Sequence, residues 1–316
     1  AVFTAACGCA TGALMLAVYR SFLGRGRGGE WASGASLVSE TWPAEHRGKA
    51  LGIVQSSWAV GYAAAAAVAA LVKPVWGWRG VFFVGVLPAF FTLWIQRRVK
   101  EPEIWKTARA AAPKVRAGFG EIFGKKRLRL TLFVTLMNAF TMFAWWGFNL
   151  WLPTYLSLPS VEGGIGLTPR TMSALVIFMQ IGMWLGYVSF GFISDKLGRK
   201  RSYVGFLVAA AIFMLLYSRT REPLVLLVLG PFVAFFGTGY FTGFGALTAE
   251  IYPTAVRATA QGITYNTGRI VSAAAPFVVG SLAQTKGFGF SFILIASAFL
   301  AAALFWVGIP ETRGRM

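Results

Sequence analysis

The sequence predicts an all-helical protein that crosses a membrane many times, and three observations carry that expectation. Of its 316 residues, 56% are hydrophobic and 13% charged, with a mean hydropathy of +0.62. A water-soluble globule of this size cannot bury so much apolar surface. Largely apolar runs of about twenty residues recur, among them 50–72 and 202–218, a length that fits the hydrocarbon thickness of a bilayer. Finally, Lys and Arg fall mostly between these runs and crowd into alternate connections.

In chain order the expected elements are an apolar stub around 1–9 and spans at 12–39, 51–72 and 81–95. After a polar stretch come 130–157, 171–194, 202–218, 224–248, 262–283 and 290–308. Seven of these nine spans carry no Asp, Glu, Lys or Arg; the exceptions are 12–39 and 262–283, so those two are where charge chemistry is sought. One alternate set of connections holds Arg47 and Lys49, the stretch 97–129, then Lys196, Arg199, Lys200 and Arg201, then Arg257, and finally Arg313 and Arg315. The opposite set holds only Lys73, Arg79, Arg170, Arg219, Arg221 and Lys286. Basic residues favour the cytoplasmic ends of spans, so the first set, the middle connection and the C-terminus are expected inside a multi-pass protein of the inner cell membrane.

Other classes fit less well. A nucleic-acid binder gathers its positive charge on one folded face, whereas the net charge of +19 is spread between apolar runs here. Cys7 and Cys9 sit in an apolar stretch with no second pair, and His46, the sole histidine, lies between Glu45 and Arg47 in a polar connection. That leaves no metal cluster, no cofactor and no nucleophile–histidine pair, so no enzyme is expected. No phosphate-binding Gly-x-x-x-x-Gly-Lys-Ser/Thr loop is present either, which leaves an ion gradient as the energy source for any transport.

An internal repeat organises the chain. Glu40, Pro43, Arg47, Ala50 and Gly52 recur as Glu250, Pro253, Arg257, Ala260 and Gly262, each pair 210 residues apart, with an aromatic before each proline. Parallel repeats of two helical halves are a transporter architecture in which substrate sits where the halves meet. The expected division is an incomplete N-terminal half at 1–96, running from the end of its third helix to its sixth, a cytoplasmic linker at 97–129, and a complete six-helix half at 130–316. Projecting the repeat backwards places the start of the first half roughly 80 residues before Ala1, so two helices and part of a third are expected there.

The motifs resemble the major facilitator superfamily. Gly191-Phe-Ile-Ser-Asp195-Lys-Leu-Gly198-Arg199-Lys200-Arg201 is similar to that family's loop between the second and third helices of a half. Arg20-Ser-Phe-Leu-Gly24-Arg-Gly26-Arg-Gly28 is similar to its fourth-helix motif, and Pro310-Glu-Thr-Arg to its C-terminal tail. Within the superfamily, Gly28-Gly-Glu30-Trp31, the two Glu-x-aromatic-Pro loops and Tyr265-Asn266-Thr-Gly-Arg269 resemble the bacterial metabolite and sialate/monocarboxylate proton symporters. The resemblance implies a major facilitator fold and a secondary transporter of a small organic anion, together with protons. It also implies that Arg20 pairs with a first-helix carboxylate that exchanges the proton. An exporter, a sugar porter, and a non-transporting receptor or inactive fragment remain the alternatives at this point.

Charge inside a bilayer is costly and marks a cavity or a partner. Glu30 is the one acid well inside a span, so with Arg20 it is the proton-coupling candidate. Arg269 can clamp a carboxylate with two hydrogen bonds. Tyr265, Asn266, Gln55, Trp58, Asn138, Trp145, Asn149 and Gln180 are the expected substrate-binding neighbours, rings supplying walls and amides supplying orientation. Asp195 can cap a helix N-terminus. Arg199, Glu40, Arg47, Glu250 and Arg257 complete the expected cytoplasmic gate, in which charge pairs hold the two halves together.

Overall fold

The computed structural model describes residues 2–27, 34, 35, 37, 38, 41–43, 46–98, 122–125 and 127–312. Every regular element among them is helical: α1 (Val2–Gly8), α2 (Ala13–Arg27), α3 (Arg47–Val84), α4 (Pro88–Arg98), α5 (Leu128–Ser157), α6 (Pro169–Leu197), α7 (Arg199–Arg219), α8 (Pro223–Gly239), α9 (Phe241–Ile251), α10 (Thr254–Ser272) and α11 (Ala275–Leu304), with short 3-10 turns at Ser160–Glu162 and Phe305–Gly308. Local chemistry sets several starts. Prolines open α6 and α8, where their missing N–H costs nothing, and the Thr168 side chain caps α6 by accepting from the Thr171 N–H at 3.3 Å.

Among the described residues six stretches are long and apolar enough to span a bilayer, the longest being Val256–Gly308 at 53 residues. A span needs only about 20 residues, so this stretch makes two passes. The break is Gly287, whose φ of 83° suits glycine alone. It separates the two spans expected at 262–283 and 290–308. α8 and α9 run on from one another through Tyr240 as one crossing, Pro223–Ile251. One boundary differs from expectation: α3 continues past residue 72 and turns only at Gly77, φ 64°, so the expected loop at Lys73 is helical.

α6 packs on α8, α5 on α10 and α11, and α7 on α8 and α11, while α3 lies along α6 and α9. The core between these helices is rich in rings, with Phe148 edge-on to Tyr217 at 5.5 Å between centroids and Phe190 edge-on to Phe206 at 4.9 Å. Where lipid is as apolar as the core, close packing rather than water exclusion joins helices. Leu71, Val75 and Trp76 of α3, with Phe277 and Leu304 of α11, are largely exposed, as a lipid-facing surface requires. Gly24 and Gly26 meet no neighbour among the described residues. Helices approach closely between α3 and α6, at Gly48 and Gly191.

Most of the expected linker, together with Gly28, Gly29, Glu30 and Glu40, lies outside the described residues. Its far end is packed: Ile122 is buried against Tyr252, Val256 and Ala260. The Ile122 carbonyl accepts from the Thr131 hydroxyl at 3.1 Å, which in turn accepts from the Tyr252 hydroxyl at 3.0 Å.

Candidate functional site

A cavity of about 600 Å³ lies between α3, with Gly34 and Ala35, on one side and α9 and α10 on the other, within the range of small-molecule sites; a much smaller pocket of about 40 Å³ adjoins it at Gln55, Trp58, Tyr62 and Tyr265 and is also lined by α5 and α6. Each helix supplies one stripe. Gln55, Trp58 and Tyr62 are three and four residues apart on α3, Gln180, Met183 and Tyr187 repeat that spacing on α6, and Tyr265 and Arg269 are four apart on α10. Those spacings bring side chains to a single helix face. α5 adds Trp145, Trp146 and Asn149, and α9 adds Phe241 and Thr242.

The walls are tied across helices. The Tyr187 hydroxyl bonds with Gln55 and Thr238, and the Tyr187 carbonyl accepts from the Thr242 hydroxyl at 3.0 Å. Trp58 meets Trp146 edge to face at 6.2 Å. Arg269 is exposed at the wide end, its guanidinium carbon 5.9 Å from the Tyr265 ring centre.

Of the nine residues expected to bind substrate, Gln55, Trp58, Trp145, Asn149, Gln180 and Tyr265 line the smaller pocket, and Arg269 lines the larger one with Gln55, Trp58 and Tyr265. Asn138 stands apart. It is buried, and its Nδ2 donates to the carbonyls of Thr264 at 3.1 Å and Tyr265 at 3.4 Å, joining α5 to α10. The Asn266 side chain donates to the Gly262 carbonyl of its own helix at 2.9 Å. Tyr187, Met183 and Phe241 were missed. The helical repeat from Gln180 is the signal that finds the first two.

A second polar cluster closes the end of the bundle where the basic connections lie. Arg199 is 2% exposed. Its guanidinium donates to Asp195 Oδ1 at 2.6 Å, Ser194 Oγ at 2.9 Å and Glu250 Oε1 at 2.8 Å. Glu250 Oε2 accepts from the Thr312 hydroxyl at 2.6 Å. Glu311 accepts from the backbone N–H groups of Arg199 at 2.8 Å and Lys200 at 3.1 Å, filling the bare N-terminus of α7. The other Asp195 oxygen accepts from the Lys49 N–H at 3.2 Å, in the first turn of α3. There α3 and α6 touch through glycine: a Cβ on Gly191 would strike the Gly48 carbonyl, and one on Gly48 would strike Asp195.

Among the described residues, then, Glu250 pairs with Arg199 beside it, and the contact from α6 to α3 runs through Asp195 to a backbone N–H. Arg257 is buried in the first turn of α10. Arg47 opens α3, and its side chain, like Glu40 and Glu30, is outside the described residues. Arg20 is exposed on α2. The contact at Gly48 and Lys49 precedes the cavity's α3 lining, which begins at Leu51 and continues to Ala65.

The profile of the Major Facilitator Superfamily matches residues 1–164 and 155–315, the whole length between them. The chain belongs to that superfamily. As a major facilitator protein it is an integral, multi-pass membrane protein of a transporter family, not an enzyme. It is 36% identical to a putative metabolite transport protein of Haemophilus influenzae, over 100% of this chain and 78% of that one. It is 33% identical to a probable 4-methylmuconolactone transporter of Cupriavidus pinatubonensis, over 95% and 70%. It is 32% identical to a cis,cis-muconate transport protein of Acinetobacter baylyi, over 94% and 72%. A solved proton:xylose symporter superposes with a TM-score of 0.75 at 21% identity, covering 96% of this chain and 72% of that one, a likeness of fold.

Proposed function

We propose that this protein is a secondary active transporter that carries a small organic anion, together with protons, through the cavity between its halves. The observation that carries the reading is Arg269, a cation in a bilayer-spanning helix that lines the cavity beside Tyr265. A membrane cation needs a function or a partner, and a guanidinium matches a carboxylate with two parallel hydrogen bonds. The relatives named for muconate and 4-methylmuconolactone support an organic acid as cargo.

Proton coupling is assigned to Arg20 and Glu30, with the basic end and the C-terminus in the cytoplasm of a cell whose inner membrane holds the protein. The Asp195 contact with α3 acts as the cytoplasmic gate, and alternating access breaks and remakes it. The proposed division at 1–96, 97–129 and 130–316 gives the two rocking bodies and their tether.

The anion clamp is tested by transport kinetics with a labelled carboxylate. Arg269→Ala is expected to raise the half-saturation concentration about tenfold or more, as loss of a charged hydrogen-bonding partner does, and Arg269→Lys to recover part of it. Unchanged half-saturation in both variants would remove Arg269 from the site.

A further inference from the structure

The smaller pocket, about 40 Å³, has room for a water or two and none for an organic solute. Four of its side chains, Gln55, Trp58, Tyr62 and Tyr265, also line the larger cavity. Two of the four are tied to neighbouring helices. Gln55, which is buried, bonds with the Tyr187 hydroxyl on α6, and Trp58 meets the Trp146 ring on α5 edge to face at 6.2 Å. Tyr187 and Trp146 line the smaller pocket but not the larger cavity.

These ties continue the α3–α6 crossing. Along α3, Gly48 lies against Gly191, and a Cβ on Gly52 would stand 3.0 Å from the Tyr187 carbonyl. Gln55 follows at the Tyr187 hydroxyl, and the buried Ala59 packs into the ring-rich core. Steps of four, three and four residues keep one face of a helix against its neighbours, so α3 is held from its first turn to the level of Trp58. By the division proposed above, α3 belongs to one rocking body and α5 and α6 to the other, and the ties therefore cross between the bodies.

We infer that Gln55 and Trp58 are positioning residues through which a solute in the larger cavity releases α3 from α5 and α6. A solute that bonds the Gln55 amide or covers the Trp58 ring competes with Tyr187 or Trp146 for the same atoms. A hydrogen bond and an edge-to-face ring contact are each exchangeable for a like contact with a ligand, and a ligand shifts an equilibrium by what it gains in one state over the other. Drawing both residues away removes two of the contacts that hold α3 in place, and the basic end opens. This rests on the transport cycle proposed above and names the residues through which the cargo acts on its gate.

The test reads how fast a Leu51→Cys reporter reacts with an impermeant maleimide added on the basic side, in protein whose exposed native cysteine, Cys9, is replaced by serine. Tyr187→Phe removes the partner of Gln55 and keeps the ring, and Trp146→Leu removes the partner of Trp58. Each is expected to speed the reaction about fivefold with no carboxylate present, as loss of one hydrogen bond or ring contact does, and the two together more than either alone. Trp146→Phe serves should the leucine disturb folding. Benzoate or lactate, whichever the wild type takes up, is expected to speed the wild-type reaction and to add little in the double variant, where the ties it would release are already gone. Trp151→Leu is the packing control: that ring stands on the same helix but bonds to the Pro276 carbonyl of α11, and its loss is expected to leave labelling unchanged. Labelling unchanged in both Tyr187→Phe and Trp146→Leu, labelling raised as much by Trp151→Leu, or a carboxylate response undiminished in the double variant overturns the inference and leaves the organic-anion reading in place. A wild type that takes up neither carboxylate overturns that reading instead, while the carboxylate-free labelling decides the α3 ties on its own.

Discussion

At Arg199 a full positive charge is withdrawn almost completely from solvent and held by two carboxylates, Asp195 and Glu250. Removing one partner of a buried ion pair costs about 3–5 kcal/mol, because the partner left behind stays buried and unpaired. Arg199→Ala strands two acids at once and is expected to lower the detergent unfolding temperature by several degrees, more than Lys200→Ala does. Equal effects of the two substitutions would show that the cluster is not stabilising. Asp195, Arg199 and Glu250 were legible in the sequence because they stand in motifs of fixed spacing. Their wiring was not. Glu311 sits more than a hundred residues from the α7 terminus it caps, and Asn138 reads as a cavity amide until the Thr264 carbonyl is seen beside it. A polar side chain in a span marks something important, but not whether a ligand or a neighbouring helix satisfies it.

In the transport cycle proposed above, access to the cavity from the basic end is controlled at the α3–α6 crossing. Gly48 and Gly191 bring backbone to backbone, and Asp195 caps the first turn of α3. Gly191→Val must push the two helices apart. A shift of roughly 1.4 kcal/mol in a closed–open equilibrium changes the minor population about tenfold, so a Leu51→Cys reporter is expected to react about tenfold faster with an impermeant maleimide added on the basic side. No change in labelling would mean that this crossing is not the seal. Helical spans were readily legible, because an uncharged apolar run near twenty residues fits the thickness of a bilayer and little else. Legibility ended where length gave no signal: α3 runs on to Gly77, and one crossing is broken between α8 and α9 at Tyr240. Such breaks depend on how the chain meets its neighbours rather than on local composition.

In the whole molecule, the repeat at 210 residues reads as two related helical halves, and a cavity lies between α3 and the helices α9 and α10. The cavity was partly legible, since amides and rings inside apolar spans are few enough to single out. Tyr187 and Phe241 were not, because a ring in a ring-rich membrane helix looks like packing until its face is known. The central claim is that this cavity moves an organic anion with protons, and the most direct measurement is initial-rate uptake of a labelled carboxylate into proteoliposomes with and without an inward proton gradient. Uptake that the gradient accelerates, that a protonophore abolishes and that Arg269→Ala loses at low substrate is the predicted result. Carboxylate uptake indifferent to the gradient, or uptake of sugar in its place, would contradict it.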